Sequence, residues 1–381
     1  MTAPNAGRLE RLRKVIRFVA IYGVSRTLFK AAGRLRIRLP RLGHPRSAGI
    51  GIVGCGQFAF ATIGYFLRRE AHGIAACFDV DPIAQETFAR AMDVVTKSPD
   101  VESFFAQRGL KLIYLASNHA SHAPYAVQSL ALGIDTYIEK PIAVSDAQFV
   151  ALLAAKRRSS ARVFAGYNRP FSGAIRTLRK TMPMAADEGI TLQCFVSGHQ
   201  LAPDHWYRRP EEGTRVCGNI GHWLDLMVHI FAWRGLPDHL EISCTWADDA
   251  EPDDNATISI RSDRADLFSV TLSSRSEPFE GINETINLQH GQTNCKIDDF
   301  RRMTIWRGAK LSHHRFWPKD VGHRHAILQP FAAGQGRDWH EVELSTLLML
   351  HITQMVRERR RASSFSFNQS WQRVERELAA M

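Results

Sequence analysis

The chain has 381 residues, 45% of them hydrophobic and 23% charged, with 26 Gly and 16 Pro. That balance excludes collagen-like, low-complexity and wholly disordered chains, and the length is sufficient for two domains. The formal net charge is +11, from 49 Lys and Arg against 38 Asp and Glu. All of it sits in residues 1–47, which hold twelve basic side chains and one acid, Glu10; the rest of the chain is neutral. A body without a basic footprint is not expected to bind nucleic acid. Mean hydropathy is −0.21, and no apolar run approaches the ~18 residues of a membrane span. The six cysteines (Cys55, Cys77, Cys194, Cys217, Cys244, Cys295) are far apart and form no C-x-x-C. Reduced thiols in a cytoplasmic protein are therefore expected. His313-His314 and His323-Arg324-His325 lack partners at zinc spacing, so no metal site is expected.

In chain order, Leu9, Leu12, Val15, Ile16, Val19 and Tyr22 fall three or four apart with Arg11, Arg13, Lys14 and Arg17 between them. This predicts a basic amphipathic helix. Arg17 interrupts any signal-peptide core. Such a helix can lie on an anionic membrane surface, fold back on the body, or stay a mobile arm. Residues 41–47 read as a linker.

From residue 48 short apolar runs alternate with amphipathic stretches. Strands are predicted at Ala48–Val53, Ile74–Phe78, Leu112–Ala116, Thr136–Ile138 and Arg162–Ala165. Helices are predicted at Phe58–Leu67, Pro82–Met92, Ala120–Leu132 and Asp146–Arg157. Strands separated by helices of this length predict βαβ units and a parallel sheet. After about residue 170 the predicted strands (Thr191–Val196, Leu240–Trp246, Ala256–Ile260, Leu267–Leu272, Glu284–Leu288) follow one another. Helices are expected at Ile220–Ala232 and Leu344–Arg357. The texture predicts an α/β chain: a doubly wound (Rossmann) dinucleotide-binding domain at 48–168, then an α+β domain at 169–381 with a largely antiparallel open sheet. Residues 1–47 form the leader.

Gly54-Cys55-Gly56-Gln57-Phe58-Ala59 is a G-x-G-x-x-A segment between the first strand and helix. The first Gly permits the tight turn, the second lets the backbone approach a pyrophosphate, and the small third residue lets helix pack on strand. Asp79 ends the second strand, where an acid bonds the ribose hydroxyls and repels a 2′-phosphate. NAD(H) is thus expected over NADP(H). The alternative has Asp79 cap the next helix while Asp81 or an arginine reads the ribose. Cys55 reads as a small filler.

Ser117-Asn118-His119-Ala120-Ser121-His122 follows the next strand and Glu139-Lys140-Pro141 the one after. Gly166-Tyr167-Asn168-Arg169-Pro170-Phe171 and Gly218-Asn219-Ile220-Gly221-His222-Trp223-Leu224-Asp225 come later. With the glycine segment, this set resembles the glucose–fructose oxidoreductase/inositol dehydrogenase (Gfo/Idh/MocA) family over residues 48–358. The resemblance extends to Asp204-His205-Trp206-Tyr207, Glu212-Gly213-Thr214-Arg215 and Asp298–Arg302. Those segments are similar to the C-terminal half of bi-domain oxidoreductases often linked with surface polysaccharide metabolism, whose alcohol dehydrogenase-like half has no counterpart here.

The resemblance implies Lys140 and His222 at the reacting centre. It also implies a cofactor held by Gly54, Gly56, Gln57, Phe58, Ala59, Asp79, Ser117, Asn118, His122, Glu139, Lys140 and Asn168. Arg169, His205, Trp206, Asn219 and His222 would face a sugar, nucleotide-sugar or cyclitol substrate. A homo-oligomer, dimer or tetramer, through the C-terminal sheet is also expected. The chemistry fits these types: a hydroxyl losing hydride must lose its proton, His accepts it near neutral pH, and Lys stabilises charge growing on the oxygen. Asp225 either orients His222 or buttresses its helix; Asn168 and Arg169 either meet the nicotinamide end or tie the domains. One departure stands out. Many members carry Asp four residues before the helix His, where this chain has Gly218. A non-catalytic nucleotide-binding or scaffold protein is the alternative function.

Overall fold

The computed structural model describes residues 8–35, 37, 47–277, 281–332 and 336–381. Its first sheet is parallel throughout: β1 (Ser47–Val53), β2 (His72–Phe78), β3 (Thr96–Lys97), β4 (Leu112–Leu115), β5 (Asp135–Ile138) and β6 (Val163–Ala165). The spatial order is β3-β2-β1-β4-β5-β6. Helices cover both faces, so all four residues of β4 are buried, and the strand reads as one continuous apolar run. The order reverses between β1 and β4, which opens a crevice at the strands' carboxyl ends.

The helices begin where capping chemistry puts them. Asp81 caps Pro82–Met92, whose first residue is a proline, and Ser145 caps Asp146–Arg158. The predicted Phe58–Leu67 helix is two pieces, a π-helical stretch Ala59–Gly64 and a short α-helix Tyr65–Arg69. β3 and the helix Val101–Phe105 were not anticipated, being too short to show a period.

The second sheet has nine strands: β7 (Thr191–Ser197), β8 (His239–Trp246), β9 (Asn255–Ser262), β10 (Leu267–Ser273), β11 (Asn283–His290), β12 (Thr293–Asp298), β13 (Arg302–Arg307), β14 (Lys310–Arg315) and β15 (Ala362–Ser366). Their order is β14-β13-β12-β11-β7-β10-β9-β8-β15, antiparallel except for the β7–β10 pair. Burial alternates along the strands, as a sheet with one covered face requires: Leu240, Ile242, Cys244 and Trp246 point inward on β8. That inner face joins the buried helices Gly221–Ala232 and Trp339–Arg357 in one core. All six cysteines are free and buried.

The leader departs from the single amphipathic helix expected. Helices Arg8–Tyr22 and Val24–Leu35 are separated at Gly23, whose φ of +80° lies in the left-handed region that glycine tolerates. Leu12, Val15 and Ile16 are more than half exposed. The end of the first helix is tied to the body, with Ile21 buried and the Ala20 and Ile21 carbonyls accepting from Trp317 Nε1 and Lys319 N at 2.8 Å, and the second helix packs on it. Phe29 is buried against Phe60 and Tyr65, at ring separations of 5.4 and 5.2 Å, and the Ser25 and Tyr65 hydroxyls lie 3.1 Å apart. The linker expected at 41–47 lies outside the described residues except for Ser47, which opens β1. Among the described residues no helix is long and apolar enough to cross a membrane.

Candidate active site

A cleft of about 840 Å³ opens at the carboxyl ends of β1, β2, β4 and β5. Gly54, Gly56, Gln57 and Phe58 line it from the loop after β1, and Asp79 from the end of β2. The turn after β4 adds Ser117, Asn118, His119 and His122; the turn after β5 adds Glu139 and Lys140. The second domain closes the far side with Trp206, Tyr207, Arg209 and Glu212.

The glycine loop fits a pyrophosphate on steric grounds. Gly54 has φ +89°, and a Cβ there would lie 2.5 Å from the backbone of Ala116 and Ser117. A Cβ on Gly56 would meet nothing within 4 Å, so the space above this backbone is open to a phosphate. Ala59 is buried beneath the loop and faces the core, not the cleft. Cys55 is buried too; its contact with Cys77, together with burial, pushes its thiol up, as an inert filler. Asp79 accepts backbone N–H bonds from Cys55 and Asp81, while Asp81 itself caps the following helix. The helix-capping role considered for Asp79 thus belongs to Asp81. Val80 and Asp81 follow Asp79, and among the described residues the cations lining the cleft are Lys140 and Arg209.

Glu139 is buried and accepts from the Tyr137 hydroxyl at 3.0 Å and the Lys140 N–H at 3.2 Å. Burial raises its carboxyl to about 7, against the opposing pull of Lys140. Gly166 makes room for it, since a Cβ there would lie 2.7 Å from the carboxyl group. His122 packs between two carbonyls, Pro141 O at 2.8 Å and Ser117 O at 3.1 Å, and so bolts the two strand-end turns together. Burial lowers its pKa to about 4. Lys140 Nζ crosses to the second domain and donates to Gly218 O at 2.7 Å.

Gly218 lies in the π-helical turn Val216–Ile220 that leads into the helix carrying His222. A Cβ at Gly218 would lie 2.6 Å from the Tyr207 ring and 2.9 Å from His119 Cε1, so those two rings fill the place of a side chain. His222, in the first turn of that helix, is half-buried, its Nδ1 without a hydrogen-bond partner among the described residues. Burial holds its pKa well below the usual imidazole range, and the charges of Arg169 and Lys140 act in the same sense. It is not among the residues lining the cleft.

Four other expected site residues are occupied elsewhere. Arg169 is buried, pairs with Glu284 at 2.9 and 3.0 Å, and stacks over Trp223. Asn168 donates to Val321 O at 2.6 Å. Asn168 thus ties the two domains and Arg169 anchors the start of the second; neither lines the cleft. Asn219 Oδ1 accepts from the buried Arg215 at 3.2 Å, and His205 accepts the Tyr207 N–H at the start of a short turn. Asp225 takes the buttressing role: it binds Arg337 at 2.6 Å through both oxygens, and Ser345 at 2.9 Å. Trp206 does line the cleft. Sequence reasoning missed His119, Tyr207, Arg209 and Glu212 as cleft residues, although all but Arg209 sit inside the segments that carry the resemblance. Glu212 is the clasp: its carboxylate accepts from Asn118 Nδ2 and Ala120 N, and its carbonyl from His119.

Comparison with known proteins agrees with this geometry. Residues 48–167 match the model of the Gfo/Idh/MocA oxidoreductase family, NAD-binding Rossmann fold. A myo-inositol dehydrogenase, Hyg17, of Streptomyces leeuwenhoekii is 24% identical over 262 residues, 65% of this chain and 77% of that protein. Among solved structures, GenD2 from gentamicin A biosynthesis in complex with NAD superposes with TM-score 0.69 at 14% identity, over 86% of this chain and 98% of that one. Levoglucosan dehydrogenase in complex with NADH gives TM-score 0.69 at 12% identity, over 84% and 98%. At these identities the likenesses to solved structures establish the fold. Residues 48–167, which build most of the cleft, are thus similar to the NAD-binding domain of the Gfo/Idh/MocA family of oxidoreductases.

Proposed function

We propose that the chain is an NAD(H)-dependent dehydrogenase acting on a CH–OH or ketone carbon of a sugar, nucleotide sugar or cyclitol, with surface polysaccharide metabolism as its setting. The observation that carries this is the single cleft in which the glycine loop, Asp79 and Lys140 meet aromatic rings of the second domain. Gly54, Gly56 and Gln57 would hold the pyrophosphate, Asp79 the adenosine ribose, and Ser117, Asn118 and Glu139 the nicotinamide end. A bound nicotinamide supplies the two-electron acceptor or donor. Lys140 orients the substrate oxygen and offsets negative charge forming on it. Trp206 and Tyr207 offer flat apolar surfaces of the kind that pack on a sugar ring. The substrate proton goes to an imidazole kept neutral by burial; the family resemblance implies His222 for this role, and His119 is a buried imidazole that lines the cleft.

The test is absorbance at the reduced-nicotinamide band while purified protein meets a panel of sugars, nucleotide sugars and cyclitols. Turnover with at least one member, lost in Lys140→Ala, is the expected result. Nucleotide binding without turnover of any member would favour a nucleotide-binding scaffold.

We propose two partners besides the substrate. The outer face of the second sheet, with Phe195, Leu267 and Leu311 more than half exposed, serves homo-oligomerisation. The leader, with exposed Leu12, Val15 and Ile16 beside Arg13, Lys14 and Arg17, rests on an anionic membrane surface.

A further inference from the structure

We propose that His119, and not His222, exchanges the proton with the substrate oxygen, taking over the place that a carboxylate at position 218 would hold; this rests on the dehydrogenase reading above. Three observations converge on His119. It lines the cleft together with Lys140, whereas His222 is not among the lining residues. Its ring, with that of Tyr207, occupies the volume into which a residue-218 side chain would project, with Cε1 2.9 Å from a Cβ built there. The donor next to it, Lys140 Nζ, is anchored on the carbonyl of that same Gly218. The glycine is therefore a vacated position that a group from the other domain fills.

The hydrogen bonding sets the tautomer. His119 Nδ1 lies 3.1 Å from Glu212 O, and a carbonyl only accepts, so Nδ1 carries the hydrogen. In the neutral ring Nε2 then holds the lone pair, and among the described residues it has no hydrogen-bond partner. Rings of Trp206 and Tyr207 pack on the imidazole at 4.7 and 4.5 Å and fix its plane. Titratable neighbours are Lys140, His122, His205, His222 and Tyr207, with the Glu212 carboxylate engaged by Asn118 and Ala120. Burial first, and the Lys140 ammonium second, hold the ring well below the usual imidazole range, so it waits uncharged at neutral pH. In the oxidative direction the substrate O–H bond breaks and its proton goes to Nε2. The carbon–oxygen double bond forms, and the carbon-bound hydrogen leaves with its electron pair for the oxidised nicotinamide nucleotide. Reduction is the reverse, with the His119 imidazolium giving the proton back.

Measurements on the full chain test this. His119→Gln keeps an N–H for Glu212 O but cannot take a proton. NADH affinity, read by fluorescence titration, should match wild type, while kcat falls by about 10²–10⁴-fold, the usual cost of losing an acid–base group. Added imidazole should recover part of it, and the acid limb of the kcat/KM profile, expected below pH 6.5, should vanish. A His119→Gln enzyme with near-normal kcat beside an inactive His222→Gln enzyme would overturn the assignment and leave the dehydrogenase reading intact. Wild type that binds no nicotinamide nucleotide would instead remove that reading. Independently of turnover, nitrogen-15 histidine spectra, assigned by the signals lost in His119→Gln, should show the proton on Nδ1; a proton on Nε2 contradicts the proposal.

Discussion

Asp79 presents one carboxylate to two backbone N–H groups and to the open cleft, and the residue after it, Val80, is 85% exposed. A negative charge at this point favours two free ribose hydroxyls over a phosphate. Replacing Asp79 by Ser and Val80 by Arg should move preference toward NADP(H) by about 1–3 kcal/mol, the range for a hydrogen bond to a charged group. Paired titrations with the two reduced nucleotides measure it, and an unchanged ratio would mean that Asp79 does not face the ribose. This residue was legible in the sequence because strand, glycine loop, helix, strand and acid come in a fixed order. Arg169 and Asn168 were not legible. Their segment marks the end of the nucleotide domain equally well whether the side chains turn to the cleft or to the second domain. Only the position of Glu284, 115 residues away, decides it.

At the scale of elements, exposed pairs such as Arg157–Glu375 and Arg324–Glu70 join the two domains, and buried polar groups fix their junction. Arg169 and Glu284 are both almost fully buried, and Glu284 also accepts from Trp223 Nε1 at 2.8 Å. Removing one partner of such a pair leaves a buried charge and typically costs about 3–5 kcal/mol. Arg169→Met should therefore lower the denaturant midpoint strongly, whereas Arg261→Met, whose exposed pair with Glu241 lies on the open sheet face, should barely change it. Equal effects of the two would show that Arg169 is not an anchor. Several elements were readable where burial imposed a period, although β12 and the amphipathic helices Gly173–Thr181 and Phe367–Ala379 were not predicted. The eight-residue strands β8 and β9 alternate, and β4 is a solid apolar run. β14 is exposed at nearly every residue and so carries no alternation to read. The π-helical stretches at Ala59–Gly64 and Val216–Ile220 left no signal either, because an extra residue per turn needs only local accommodation.

For the whole molecule, His119, His122, His222 and His323 are all held uncharged by burial, His122 to about 4 and the others well below the usual imidazole value. A base with a lowered folded-state pKa leaves the unfolded chain binding more protons on acidification. Stability is then full above pH ~6.5 and falls as pH drops below it. Glu139, raised to about 7, works in the opposite sense, stabilising at low pH and losing that contribution as pH rises through 7. The raised carboxyls of Asp225, Glu251 and Asp299 act with it, and the lowered imidazoles of His205, His325 and His351 act with the four. The midpoint of urea unfolding should thus fall between pH 7 and 5; a flat profile would mean that these imidazoles are not buried neutral.

The leader gives a second test at this scale. No residue before Val53 lines the cleft, so a chain starting near Gly43 should keep its nucleotide affinity. It should lose about 1.5–3 kcal/mol of stability, because Phe29 no longer covers Phe60 and Tyr65. The full chain should sediment with anionic vesicles in a salt-sensitive way, and the truncated one should not. If neither form sediments, the membrane contact is wrong.

The most direct measurement is an equilibrium titration of the full-length wild-type chain with NADH and with NADPH, followed by fluorescence. One NADH per chain should bind saturably, with NADPH at least about tenfold weaker, the factor that 1.4 kcal/mol represents. A chain that takes up neither nucleotide, or that prefers NADPH despite Asp79, would contradict the assignment of the glycine-loop cleft as an NAD(H) site.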